Sequence, residues 1–556
     1  MPRDLQADQE MLRSVFALAE KRDIARAAAI AESALASGFE HPLLLNVLAT
    51  RFEHEGRFED ARKLLERAVR LTPDDTSVRN ALSLVLQRLG RPAEALQHVD
   101  RVLKAHPELG FAHANRGNAL IAMGALGKAE QSHRRALELD PGNLAAQGAL
   151  ASIATHRGDH EQARDWARKV LARLPGYPDA VLSLAAAELA SGSTDSAQIL
   201  VCQVLADPRA GPAEQARAQG LLGDVLDAAG RYDEARGAYA ACNEALRVLH
   251  RRSAEGVDIL AYTESVIGAL RHGDPAQWAT RLPGPREAEA DGGASGHVFL
   301  LGFPRSGTTL LEVALDGHPR VVSLEEHELL TQGVLTFMRE PVDFGPMLHD
   351  QSGALPGLRA DYWRQVRDAG VNIAGKIFVD KHPLHTLKLP LIARMFPRAK
   401  ILFAYRDPRD VVFSCYRRRF SMNPAMYQLL TLEGAAALYD VTMRLAEQGR
   451  RTLNLDWFDL RYEALVADLS GQLRAVCNFL GLDWDPALTE FAARAHAREH
   501  ATPSTAQLVR GLDRSGIGHW RHYEAALAPI LPTLQTWVER LHYDGCATQV
   551  PGWPAA

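Results

Sequence analysis

From roughly Val15 to Leu246 the apolar positions recur at helical spacing, with Ala and Leu interleaved among Arg and Glu. Glycines punctuate this stretch at Gly56, Gly90, Gly124, Gly158 and Gly192, a constant step of 34 residues. Five residues after each glycine stands an alanine (Ala61, Ala95, Ala129, Ala163, Ala197), and Pro73, Pro107, Pro141 and Pro175 follow the same period. The pattern predicts pairs of antiparallel helices. Glycine occupies the tight turn inside a pair, the small alanine lets the second helix approach its neighbour, and proline ends the unit. The register loosens later, since Gly230 follows Gly192 by 38 residues and Pro208 follows Pro175 by 33. Arg22 and Ala27 lie one period before Gly56 and Ala61, which marks a degraded first unit serving as a cap.

One more helical stretch, "VDILAYTESVIGALRH", precedes "LPGPREAEADGGASG" (282–296), whose Pro, Gly and acidic content is that of a linker. From His297 the rhythm changes. The short apolar runs "HVFLLGF", "GKIFVD" and "KILFAY" alternate with helical segments, predicting βα units around a parallel sheet. The expected organisation is a repeat domain over 1–250, a helix and linker over 251–296, and an α/β domain over 297–545.

Composition narrows the function. The 556 residues are 47% hydrophobic and 24% charged with a net charge of −5, a globular balance without the basic excess of a general nucleic-acid binder. Any anion site is therefore local. No apolar run approaches the ~18–20 residues that span a bilayer, and the N-terminal stretch lacks the order of a signal peptide, so the reading is cytoplasmic with no membrane partner. Five scattered cysteines form no C-x-x-C pair, which speaks against a disulfide framework and a structural zinc site.

The chemistry is concentrated in "FLLGFPRSGTTLLEVALDGHP", starting at Phe299. Gly302 and Gly307 have the spacing of a phosphate loop and precede a helix whose backbone N–H groups, carrying about +0.5 charge, would cradle an anion. A Walker A loop places lysine after the second glycine, where this chain has Thr308, so Arg305 is the only cation in the loop. A nucleotide triphosphatase also needs a carboxylate for Mg²⁺. The nearest candidate, Asp407 in "YRDPRD", sits among arginines where ion pairing is the expected fate. These residues suit an anionic nucleotide without a γ-phosphate.

The 34-residue period resembles the tetratricopeptide repeat, and the whole reads as an all-α tetratricopeptide superhelix followed by an α/β, P-loop-like domain with a parallel sheet. "GFPRSGTTLL" resembles the 5′-phosphosulfate loop of sulfotransferases that use 3′-phosphoadenosine 5′-phosphosulfate (PAPS), and "AYRDPRDVVFSCYRRR" resembles their 3′-phosphate motif. The resemblance covers roughly Gly296 to Leu541, and repeats joined to such a domain form a recognised bacterial arrangement. It implies PAPS as cofactor, 3′,5′-adenosine bisphosphate (PAP) as product, and no metal. It assigns Arg305, Ser306, Gly307, Thr308 and Thr309 to the 5′-phosphate, with Arg305 also near the leaving group. Arg406 and Ser414, eight residues apart, are assigned to the 3′-phosphate.

"VVSLEEHELL" resembles the segment of tyrosylprotein sulfotransferases that carries the catalytic glutamate 21 residues after the loop arginine, which singles out Glu326. Glu325 and Glu326 also fit the first turn of a helix. The rival base is His382 in "VDKHPLHTLKLP", because small-molecule sulfotransferases use a histidine in a comparable segment. Lys381 beside it matches the lysine that neutralises the bridging oxygen. "LRYEALV" nominates Tyr462, and "TPSTAQLVRGLDRSGIGHW" resembles the segment that closes over the nucleotide and nominates Ser504, Arg514 and Gly518. There His519 stands where the family has a cation before Trp520. The run Arg417–Arg419 reads as a solvated helix end and His318 as structural. The repeats, by their concave groove, are expected to gather an acceptor peptide or protein, or to serve as scaffold or homodimer contact. The competing readings are a sulfotransferase for a small molecule or glycan, and a repeat adaptor with an inactive nucleotide-binding domain.

Overall fold

The computed structural model describes residues 5–251, 255–279, 293–350, 352–497, 508 and 511–544. The described residues pack as two compact units that divide near Ser183. The sequence limits 1–250, 251–296 and 297–545 mark changes of pattern and are kept as such.

The first unit is a superhelix of helical hairpins, from Leu5–Glu20 and Ile24–Ala36 through His160–Arg173. The periodic glycines are there for backbone conformation. Gly56, Gly90 and Gly124 have φ of +73°, +71° and +77°, and a Cβ at any of them would meet open space. The alanines Ala61, Ala95, Ala129 and Ala163 are fully buried, so the helices close to a distance that a larger side chain would prevent. In the degraded first unit Arg22 takes the glycine's place and adopts φ +58°, while Ala27 keeps the alanine's burial.

The second unit is built on a five-stranded parallel sheet in the order β2-β3-β1-β4-β5, with β1 Gly296–Gly302, β2 Val321–Leu324, β3 Ile377–Lys381, β4 Lys400–Tyr405 and β5 Asp456–Arg461. The three apolar runs in the sequence are β1, β3 and β4, the three inner strands. Both faces of β1 are covered: Phe299 and Leu301 point into one core with the Leu432–Thr452 and Pro408–Tyr416 helices. Val298 and Leu300 point into the other with Thr308–Leu315 and Leu469–Leu480. A strand buried on both sides has no polar alternation, which is why these runs read as continuously apolar. The hairpin Pro212–Ala228 and Tyr232–Leu249, and the helix Ile259–His272, contribute Leu226, Tyr239, Val266 and Leu270 to the first of these cores. No helix among the described residues is long and apolar enough to cross a membrane.

Parallel strands end on one edge of the sheet, and ligands of such sheets bind there. Every strand delivers a residue of interest to that edge. Beyond β1 lies the Arg305 loop, beyond β2 Glu326, at the end of β3 Lys381 and His382, after β4 Arg406, and after β5 Tyr462.

Candidate active site

Backbone constraints shape the loop after β1. Gly302 pairs with Ala404 of β4 at φ +149°, and a Cβ there would lie 2.3 Å from the Ala404 carbonyl oxygen. Gly307, at φ +95°, precedes the Thr308–Leu315 helix, and a Cβ on it would lie 2.5 Å from the Tyr462 ring. No side chain caps this helix, so its first N–H groups remain available to an anion. Ser306, Thr308 and Thr309 are buried beside it. Arg305 adopts φ +71°, and its Nε donates to Ser414 Oγ at 3.1 Å. The loop and the serine 109 residues away thus form one wall. Burial, with Arg418, Arg406 and Arg417 close by, pushes the Arg305 guanidinium down to about 9. A crowd of buried cations around a cleft is an arrangement that an anion relieves.

Arg406 lies over the Tyr462 ring at 4.8 Å. It donates to the Gly516 carbonyl, and its buried Nε has no hydrogen-bond partner among the described residues. Asp410, in the first turn of the Pro408–Tyr416 helix that follows, accepts from the backbone N–H of Gly518 (2.7 Å) and of Trp520 (3.0 Å), fixing the C-terminal segment over this helix. Asp407 caps the helix and pairs with Arg409 at 2.7 Å, the ion-paired fate expected of it. Arg305, Gly307, Thr309, Arg406, Ser414, Tyr462, Arg417, Gly516 and His519 together line a first cleft.

A second cleft lies across the loop, lined by Arg305, Gly307, Thr308, Thr309, Glu326, His382, Pro383, Leu384, Phe420 and Met426. Lys381 is fully buried at its base, with Nζ 2.8 Å from Glu326 Oε1 and 3.4 Å from Glu312 Oε2. Burial opposes its charge, but Glu312 and Glu326 outweigh that and hold Lys381 above its ordinary value. Burial raises Glu326 in turn, while Lys381 and His382 pull it below the usual carboxylate range. Glu326 is therefore ionised at neutral pH and 41% exposed to the cleft. The helix that follows begins only at Thr331, so neither Glu325 nor Glu326 is in its first turn. His382 stacks on His385 with ring centroids 4.2 Å apart. Burial and the cationic neighbour push His382 down to about 3, leaving it neutral, with a buried Nδ1 that has no hydrogen-bond partner among the described residues. Glu328, His382 and His385 bring three metal-type donor atoms within 4.8 Å of one another. Glu328 Oε1 is already shared by Lys388 and by His385 at 3.2 Å, and the two imidazoles lie face to face.

The two clefts gather Arg305, Gly307, Thr308, Thr309, Arg406, Ser414, Tyr462 and Glu326, with Lys381 beneath, and Ser306 lies in the same loop. Other nominated residues are placed elsewhere. Arg514 turns its guanidinium to the Val466 carbonyl (3.2 Å), and the Gly518 N–H is committed to Asp410. Ser504 lies outside the described residues. His318 is structural, buried and held 3.1 Å from the Asp483 carbonyl. The solvated reading of Arg417–Arg419 is corrected. Arg417 pairs with Asp227 (2.9 Å) and Arg419 with Asp224 (3.0 Å), their side chains 13% and 31% exposed. Sequence reasoning also missed Glu312, a fully buried acid in the apolar helix "TTLLEVAL", and Asp410, an acid four residues after Arg406. Both had a signal, respectively a charge inside an apolar run and an i,i+4 pair.

The family model described as "Sulfotransferase family" matches residues 297–486, and the "Tetratricopeptide repeat" model matches four overlapping spans from 17 to 178. Residues 297–486 are thus similar to the sulfotransferase family. An uncharacterized protein of Aquifex aeolicus (strain VF5) is 25% identical over 434 residues, covering 73% of this chain and 52% of its own length. "Protein-tyrosine sulfotransferase 2" of Gallus gallus is 24% identical over 276 residues, 44% of this chain and 69% of that protein. "Omega-hydroxy-beta-dihydromenaquinone-9 sulfotransferase Stf3" of Mycobacterium bovis is 27% identical over 158 residues, 26% of this chain and 39% of that protein. The chain thus spans about half the length of the Aquifex relative. At family level the sulfotransferase domain supports an enzyme of sulfuryl transfer, and the repeats suggest protein–protein interaction.

Proposed function

We propose that this protein transfers a sulfuryl group from PAPS to an acceptor hydroxyl, on a tyrosine-bearing peptide or protein gathered by the repeats. The observation that carries the reading is that two clefts meet at Arg305, one rich in buried cations and the other holding Glu326 above Lys381. PAPS would supply the activated sulfuryl group and leave as PAP. The residues present fit such a group, because a helix N-terminus without a side-chain cap, the buried Arg406 Nε and a guanidinium of Arg305 crowded by other cations converge on one cleft.

Each residue then has a task. The loop N–H groups, Ser306, Thr308, Thr309 and Arg305 hold the 5′ end. Arg406 and Ser414 hold the 3′-phosphate, with Tyr462 packed against the loop. Lys381 sets a fixed positive charge beneath Glu326 in the second cleft, near where negative charge develops in the transition state, and needs no reorganisation to do so. Glu326 takes the proton of the acceptor hydroxyl. Its low proton affinity suits a base that must stay ionised beside a lysine. His382, neutral and facing the same cleft, orients the acceptor.

The name of the chicken relative supports a tyrosine acceptor. The apolar wall of Pro383, Leu384, Phe420 and Met426, with the name of the mycobacterial relative, supports a second reading in which the hydroxyl belongs to a small apolar molecule. Calorimetric titration with PAP, and with ATP with and without Mg²⁺, tests the cofactor. PAP is expected to bind without metal and to stop binding in Arg406→Ala, and the absence of PAP binding to the wild type would sink the reading. Labelled sulfate transfer to tyrosine peptides or to apolar alcohols then separates the two acceptor classes.

A further inference from the structure

We propose that Asp227, a residue of the helical hairpin, is a positioning residue for the 3′-phosphate end of the first cleft, acting through Arg417 and His519. This rests on the assignment of that cleft to the nucleotide. Asp227 stands in the last turn of the Pro212–Ala228 helix, far in sequence from either motif. Its carboxylate collects three donors, Arg417 Nη1 at 2.9 Å, His519 Nε2 at 2.9 Å and the Tyr523 hydroxyl. Arg417 directly follows the Pro408–Tyr416 helix that carries Ser414 and that Arg406 precedes, and His519 begins the turn after Gly518. Both line the first cleft, and Asp227 does not. One carboxylate therefore holds two nitrogen-bearing side chains of the cleft wall, Arg417 Nη1 and His519 Nε2, which lie 3.4 Å from each other.

The neighbouring contacts place the hairpin in the same role. Tyr232 stacks on His522 at 4.2 Å, and Asn243 Nδ2 donates to the Tyr416 carbonyl at 2.9 Å. The C-terminal segment and the helix bearing Ser414 are both clasped by the hairpin, and Asp227 is where the clasp reaches the cleft. Two effects of the carboxylate oppose each other. Its charge weakens the positive potential that an anion feels, while its hydrogen bonds hold two donors in one geometry. Tyr239 and Asp224 also favour the Arg417 charge, but Asp227 is the acid that ties Arg417 directly to His519. A single direction matters more to a doubly charged phosphate than one distant charge does, because charge-assisted hydrogen bonds are steeply geometric.

The test uses the full chain and two nucleotides, PAP and 5′-AMP, which differ by the 3′-phosphate. In Asp227→Ala the PAP dissociation constant is expected to rise roughly tenfold, with AMP unchanged. In a background that already lacks both arms, Arg417→Ala/His519→Ala, adding Asp227→Ala should cause no further loss, as for residues acting in series. Equal losses for the two nucleotides would mean a merely structural role, and unchanged or tighter PAP binding would mean that Asp227 only competes for Arg417. Either result overturns the proposal. If Asp227→Ala does not fold, His519→Ala carries the same comparison, and an unchanged ratio of PAP to AMP affinity there overturns it equally. A wild-type protein that binds no PAP would instead remove the nucleotide assignment itself.

Discussion

Lys381 Nζ lies 2.8 Å from Glu326 Oε1 and 3.4 Å from Glu312 Oε2, so one buried ammonium serves a carboxylate that faces the cleft and another that is sealed in the core. The two acids are not equivalent. Glu326→Gln keeps the shape and removes the basicity, and should lower turnover on the order of 10²-fold with PAP affinity unchanged, read by separate rate and calorimetric measurements. A Glu326→Gln enzyme of normal rate would transfer the role of base to His382.

Removing the lysine is a different experiment. Lys381→Met removes the cation beside the fully buried Glu312, which keeps the Ser323 hydroxyl as a donor. Breaking a buried pair from one side costs about 3–5 kcal/mol, so Lys381→Met should show a large drop in denaturation midpoint. The double variant Lys381→Met/Glu312→Gln should recover much of it.

Asp227 gives a dependence of stability on pH. Burial raises its pKa, but His519 and Arg417 reverse this and bring it to about 2. The unfolded value is about 3.9. A depressed carboxylate contributes its stability above the unfolded pKa and loses it as pH falls through the folded one, here between about 5 and 2. The contribution is roughly 2 kcal/mol. Urea denaturation of wild type and Asp227→Asn should differ by about that amount at neutral pH and converge as the pH approaches 2.

The first repeat can be improved. Arg22 holds φ +58° where the later repeats use glycine. A left-handed conformation costs an L-residue about 1–2 kcal/mol, against about 0.5–1 kcal/mol for the added freedom of an unfolded glycine. Arg22→Gly should therefore stabilise the first unit by roughly 0.5–1 kcal/mol, and Gly56→Ala should destabilise it by a similar amount, both measurable by thermal melting.

What was legible in the sequence follows from range. The 34-residue step reports a local backbone need, a positive φ at Gly56 and its successors, and a local need leaves a local signal. The inner strands were legible because burial on both faces removes their polar residues. β2 has only four residues, and β5 is an edge strand with a mixed burial pattern, so neither carries a continuous apolar run. Arg305, Glu326, Lys381 and Arg406 could be nominated because motifs and their spacing survive in one dimension, and the structure brings these four to the same edge of the sheet. Arg417–Arg419 were misread because their partners, Asp224 and Asp227, lie about 190 residues upstream, and no spacing rule reaches that far.

Arg305 is a wall of both clefts and is tied to Ser414 in one of them. Two ligands that share a wall do not load independently. A nucleotide that engages Arg305 and Ser414 settles the shape of the acceptor cleft before the acceptor arrives, so the acceptor should associate more tightly with the PAP-loaded protein than with the empty one. By reciprocity the acceptor should slow the escape of PAP by favouring the same state. Under the proposed chemistry this makes the spent nucleotide a dead-end inhibitor whose grip strengthens with acceptor concentration, and substrate inhibition at high acceptor becomes the kinetic imprint of a single shared guanidinium.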